Sequence, residues 1–127
     1  MDTFTIQRQD KDEFSVLNLF GFLDAHTAPE LEKQLDQLIN EGRCKIIVNF
    51  ANLNYISSAG LGVFMGKIET VRSMNGDIKM CKMTPKIFRV FDLLGFPTLY
   101  DIVQEEEEAV QLFASKEGSS RRAYDRT

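Results

Sequence analysis

The run Ile46-Ile47-Val48, set within Cys44 to Phe50, is the strongest constraint on how this chain can fold. It is apolar, β-branched and continuous, the pattern of a strand covered on both faces. A segment with apolar residues at helical spacing stands on each side of it. Leu31, Leu35, Leu38 and Ile39 precede it with the i, i+4, i+7, i+8 stripe of an amphipathic helix, and Leu61, Phe64, Met65, Ile68 and Val71 follow it. A buried strand between two such helices predicts a parallel unit of an α/β sheet.

The rest of the chain extends that unit in both directions. Residues 3–8 alternate, with Phe4 and Ile6 on one side, and Phe14 to Phe20 alternates less strictly. The polar stretch Gln9 to Glu13 between them suits a hairpin connection. Gly21-Phe22-Leu23-Asp24 ends the second strand. Thr27 with Glu30 predicts a capping box, with Pro29 harmless in the first turn, and Gly42 stops that helix. Asn75-Gly76 closes the second helix, and Asp77 to Met83 alternates as a strand through Ile78 and Met80. Thr84-Pro85 opens a third helix, with Ile87, Phe88, Phe91 and Leu94 as its apolar face and Gly95 as its stop. Leu99 to Val103 is the last short strand. Glu105 to Glu108 open a fourth helix, where four acids oppose the helix dipole favourably, and Ala109, Val110, Leu112 and Phe113 follow.

The order β-β-α-β-α-β-α-β-α predicts an α/β fold, a small mixed β-sheet with mostly parallel strands and about four helices packed on it. That domain is expected over residues 1–114. Residues 115–127 are Ser, Gly and charge without apolar period and are expected to form a disordered polar tail.

Charge and composition narrow the function. The net charge is −4, with a local +2 in residues 115–127, which leaves −6 on the domain. An acidic domain without a basic stripe does not point to nucleic acid. No run of about 18 apolar residues occurs, so no membrane span is expected, and no signal sequence is recognisable at Met1 to Phe4. A cytoplasmic protein is the expectation. Cys44 and Cys81 sit in or beside apolar runs and read as buried reduced thiols. With the single histidine, His26, they supply too few ligands for a metal centre, so neither metal nor cofactor is expected.

Chemistry concentrates in Tyr55-Ile56-Ser57-Ser58-Ala59-Gly60-Leu61-Gly62, at the passage from the buried strand to the second helix. Free N–H groups and a positive dipole end are found there. A hydrolase elbow requires Gly-x-Ser-x-Gly, and Ile56 stands where its first glycine belongs. A phosphate loop fails at Leu61 and Ile68, and a dinucleotide loop at Met65. What remains is capping by Ser57 or Ser58 and phosphorylation, which use the same N–H groups and are compatible. Gly62 and Gly66, one turn apart beside Val63 and Lys67, form either a shallow groove for a partner or a close contact with a neighbouring helix. No catalytic residue is assigned.

At these residues the chain resembles the anti-sigma factor antagonist family, the stand-alone STAS domains of bacteria. Gly21 to Asp24 is similar to the family's Gly-x-Leu-Asp, Tyr55 to Gly62 to its Asp-Ser-(Ser/Thr)-Gly-Leu-Gly, and Thr84-Pro85 to Gly95 to its (Ser/Thr)-Pro…Phe…Gly segment. The resemblance spans about Phe4 to Phe113. It implies that the unphosphorylated protein binds an anti-sigma factor that is also a serine kinase. It further implies that phosphorylation of Ser58 ends the complex and that a serine phosphatase restores it. Asp24 matches the family aspartate beside the phosphorylation loop. The departure is Ser57, which stands where the family carries an acid. This leaves Ser57 open as an alternative modified residue, and leaves open a phosphorylation-independent scaffold or a small-ligand module. The partner surface is expected to comprise Asp24, the loop 54–58 with Asn54, Ser57 and Ser58, and the helix face of Gly60, Gly62, Val63 and Gly66.

Overall fold

Each strand of the sheet lies beside the strand that precedes it in the chain, giving the order β1-β2-β3-β4-β5. The computed structural model describes residues 4–114, and the expected tail lies outside them. The strands are β1 (Phe4–Lys11), β2 (Phe14–Leu23), β3 (Lys45–Ile56), β4 (Asp77–Cys81) and β5 (Ile102–Val103). The helices are α1 (Ala28–Asn40), α2 (Ser58–Ser73), α3 (Pro85–Leu93) and α4 (Glu106–Ala114). β1 and β2 form an antiparallel hairpin, and β2, β3, β4 and β5 run parallel. The element order and the mixed, mostly parallel sheet are those expected from the pattern.

The sheet has two unequal faces. Leu17, Leu19, Ile46, Val48, Phe50, Ile78 and Met80 face α1, α2 and α3, whose Leu31, Leu35, Leu38, Phe64, Ile87 and Phe91 complete the main core. Rings of Phe50, Phe64, Phe91 and Phe96 meet there at tilted or edge-on angles. On the other face, Val16, Ile47 and Cys81 pack with Ala109 of α4. α4 therefore leaves β5 towards the face opposite α3. Burial pushes the Cys81 thiol up to about 12, whereas Cys44 is only half-buried.

Helix ends follow local chemistry. Thr84 caps α3 by accepting the Ile87 N–H at 3.3 Å, and Glu108 accepts the N–H groups of Gln104 and Glu105 ahead of α4. Gly76 is required for a different reason: a Cβ there would lie 2.0 Å from the Cys44 carbonyl oxygen, so only glycine lets the chain pass from α2 into β4.

Several expectations change, among them the apolar face of α3, where only Ile87 and Phe91 are buried and Phe88 and Leu94 are exposed. β4 does not alternate, because the helices on one face and α4 on the other bury every residue from Asp77 to Cys81. Lys79, only 2% exposed, is paired there with Asp101 at 2.6 Å and Asp77 at 3.1 Å. The last strand is Ile102–Val103 rather than Leu99 to Val103, since Phe96–Thr98 forms a 3-10 turn that stacks Phe96 on Tyr100. Met65, placed by spacing on the buried face of α2, is 56% exposed. Val63, expected on the outer face, is buried in the main core.

Candidate functional site

β3 does not dissolve into a loop at residue 54. Ile56 pairs with Leu23 of β2 and both enter the core, so the strand continues until a single residue separates it from α2. That residue is Ser57. Its backbone N–H donates to the Leu23 carbonyl at 2.9 Å, and its carbonyl accepts the Leu61 N–H at 3.1 Å. Its backbone is extended, and its hydroxyl accepts the Gly60 N–H at 3.4 Å, a long cap. Ser57 is thus the N-cap. Ser58 is the first helical residue, exposed, and among the described residues its hydroxyl has no hydrogen-bond partner. The first turn of α2 carries no acidic residue, so the positive end of the helix is met there by the Ser57 hydroxyl and by no charge of the helix itself.

Asp24 follows Leu23 directly, which sets it beside Ser57 across the end of the β2–β3 pair. Its carboxylate is committed to the backbone: Oδ1 accepts the N–H groups of His26 at 3.0 Å and Thr27 at 3.1 Å. The Thr27 hydroxyl points back, donating to the Phe22 carbonyl at 2.8 Å and accepting the Asp24 N–H at 3.0 Å. The expected capping box between Thr27 and Glu30 is therefore not formed, because Asp24 secures the entry to α1 instead. His26 is exposed, and among the described residues it makes no hydrogen bond to either serine.

The glycines of α2 divide into two kinds. Gly60 is buried, and a Cβ on it would lie 2.7 Å from Leu23 Cγ and 3.1 Å from Ile56 Cγ1. It lets the helix sit on the strand ends and does not face outward. Gly62 and Gly66 meet nothing within 4 Å, so close helix packing does not explain them. They line an open groove of about 310 Å³ between α2 and the start of α1, with Ala28, Pro29 and Val63. Lys67 ties the two helices together through Asp36 at 2.6 Å and Glu32 at 3.3 Å, and its hydrogen bond to Asp36 holds the ammonium above its ordinary pKa.

A further feature escaped the pattern. Phe22 and Tyr55 are 45% and 43% exposed, with ring centroids 6.0 Å apart. Each precedes a core residue, Leu23 and Ile56, so both rings point to the opposite sheet face from the groove. The signal was present as paired apolar residues at two strand ends, of which only one can face inward. The structure thus gathers Asp24, Ser57 and Ser58 on one ledge, with the Gly62–Gly66 groove on one side and the aromatic pair on the other. Asn54 is exposed on β3 rather than in a loop, Gly60 belongs to the interior, and Val63, buried in the core, reaches the groove only at its floor. Among the described residues no cluster of three His, Cys, Asp or Glu could hold a metal, and no helix is long and apolar enough to cross a membrane.

This arrangement has relatives. A family model described as STAS domain matches residues 5–109. The anti-sigma-B factor antagonist of Bacillus subtilis is 30% identical over 104 residues, covering 82% of this chain and 94% of the relative. That of Staphylococcus epidermidis is 32% identical over 96 residues, covering 76% and 89%. The Bacillus cell fate determinant SpoIIAA in its phosphorylated form superposes with a TM-score of 0.66 at 26% identity, covering 87% of this chain and 98% of that one. An anti-sigma factor antagonist from Mycobacterium paratuberculosis superposes with a TM-score of 0.80 at 20% identity, covering 87% and 93%, a likeness of fold.

Proposed function

The chain belongs to the STAS domain family, and we propose that it acts as an anti-sigma factor antagonist switched by phosphorylation of Ser58. In this reading the unphosphorylated protein binds an anti-sigma factor that is also a serine kinase. Transfer of phosphate to Ser58 ends the complex, and a serine phosphatase restores it. The role is regulatory binding, not catalysis.

The observation that carries the reading is the division of labour between the two serines. Ser57 is held by Leu23 and Gly60, while Ser58 presents an exposed hydroxyl at the first position of a 16-residue helix. A phosphate there adds about −1.5 to −2 charge at a helix N-terminus whose first turn carries no acid, so the fold tolerates it. A partner whose surface rests on the ledge loses contact, because its desolvated groups then face that charge. The relative SpoIIAA is known in both phosphorylated and unphosphorylated forms, which supports a switch of this kind.

The test is a parallel capture of binding proteins by the wild type, Ser58→Ala and Ser58→Asp. The captured kinase is then incubated with ATP and the wild type, and the phosphopeptides are mapped. Ser58→Ala is expected to retain the kinase and Ser58→Asp to lose it, with phosphate on Ser58. Phosphate on Ser57 alone moves the switch by one residue. Equal capture by all three proteins without phosphate on either serine overturns the switch and leaves a constitutive scaffold.

A further inference from the structure

A second concave site lies at the carboxyl ends of β4 and β5 and shares no lining residue with the α1–α2 groove. The helices that leave these neighbouring parallel strands go to opposite faces, α3 to the main core and α4 to the smaller one. In open α/β sheets that divergence leaves a crevice outside the strand ends, which is where ligands bind. The cleft here has a volume of about 780 Å³, within the usual range for small-molecule sites.

Its lining is of two kinds. Met83, Phe88 and Ile102 provide an apolar wall, and the Phe88 ring is 37% exposed to the cleft and solvent. At the rim stand one cation and one carboxylate, Lys82 Nζ and Glu105 Oε1, 3.0 Å apart. Both side chains are well exposed, so separating them costs little. Lys82 also holds a left-handed backbone (φ 58), uncommon for a side chain of its size, and its N–H is fixed on the Gln104 carbonyl at 3.2 Å. The strand ends are thereby pinned, with the two rim charges carried side by side.

We propose that this cleft binds a small zwitterion with an apolar side chain, of the hydrophobic α-amino acid class. The ligand's carboxylate takes the Lys82 ammonium, its ammonium takes the Glu105 carboxylate, and its side chain lies against Phe88, Met83 and Ile102. The paired rim charges select against a simple anion, which Glu105 repels, and against a simple cation, which Lys82 repels.

The test is a backbone-amide NMR titration of the full chain with L-phenylalanine and L-leucine at millimolar concentrations. 3-Phenylpropionate and phenethylamine, each lacking one charge, serve as half-ligands. Saturable shifts are expected at Lys82, Phe88, Gln104 and Glu105, with each half-ligand about tenfold weaker than phenylalanine. Glu105→Gln is expected to remove the preference for phenylalanine over 3-phenylpropionate, and Phe88→Ala to weaken both amino acids while the rest of the spectrum stays in place. The absence of saturable shifts with both amino acids overturns the proposal, as does 3-phenylpropionate binding as tightly as phenylalanine. Neither result touches Ser58 phosphorylation, so the two proposals stand or fall separately.

Discussion

Ser57 and Ser58 are adjacent in the chain but fall on opposite sides of a helix boundary, one hydroxyl bound to the Gly60 N–H and the other open to solvent. Ser57→Ala therefore costs about 1 kcal/mol, the usual loss for a removed N-cap. Ser58→Asp gains up to about 1 kcal/mol from the helix dipole or leaves stability unchanged. Chemical denaturation of the two variants separates these outcomes, and the loss of binding is expected for Ser58→Asp alone. Destabilisation by Ser58→Asp matching that of Ser57→Ala would show that Ser58 is part of the cap.

The glycines of α2 make a second contrast. Gly60→Ala forces a Cβ to within 2.7 Å of Leu23 Cγ, and overpacking of that kind costs about 1–3 kcal/mol. Gly62→Ala and Gly66→Ala meet open space and stabilise the helix by about 0.5–1 kcal/mol. Gly66→Leu fills the α1–α2 groove and is expected to weaken partner binding about tenfold without loss of stability. Melting temperatures and affinities of the four variants check this. A stable Gly66→Leu protein with undiminished binding removes the groove from the partner surface.

Much of this was legible in the residues, for physical reasons. Ile46-Ile47-Val48 announced a doubly covered strand because neither face of β3 meets water there. Thr84-Pro85 announced a helix because the capping chemistry is local. What escaped depended on distant partners. Whether Ser57 or Ser58 caps α2 is decided by β3 continuing to Ile56, which depends on Leu23 in another strand. Thr27 lost its capping role because its hydroxyl is turned back from α1, accepting the Asp24 N–H while it donates to the Phe22 carbonyl. The alternation expected through Ile78 and Met80 gave no sign that Lys79 between them is buried, because Asp101 and Phe113 of α4, which enclose it, are distant in the chain.

Asp24 carries two separable duties. Its carboxylate organises the turn into α1, so Asp24→Ala is expected to cost about 1–2 kcal/mol, while Asp24→Asn keeps an acceptor oxygen for His26 and Thr27 and costs less than half of that. Binding of the proposed anti-sigma partner by the Asn variant then reports the charge alone. Unchanged affinity in a stable Asp24→Asn protein confines Asp24 to the turn. A loss of affinity at preserved stability makes its charge part of the ledge.

The buried pair around Lys79 gives the protein an acid limb whose direction can be worked out. Burial by itself raises the Asp77 pKa, but the charges of Lys79 and Arg72 and their hydrogen bonds outweigh it and hold the carboxyl below its ordinary value. A depressed folded-state pKa means that the contribution is complete above the unfolded carboxylate value, about pH 4, and is lost as pH falls through the folded value. Lys79→Met keeps the volume but leaves Asp101 without the ammonium 2.6 Å away, and removing one partner of a buried pair costs about 3–5 kcal/mol near neutral pH. Because Asp77 also loses part of its depression, the gap between wild type and variant is expected to narrow as pH drops below about 4. Urea unfolding of both proteins between neutral pH and pH 3 measures it. A penalty that stays constant across that range would mean that Lys79 contributes through packing, including its cation–π contact with Phe113 at 4.6 Å, and not through the carboxylates it faces.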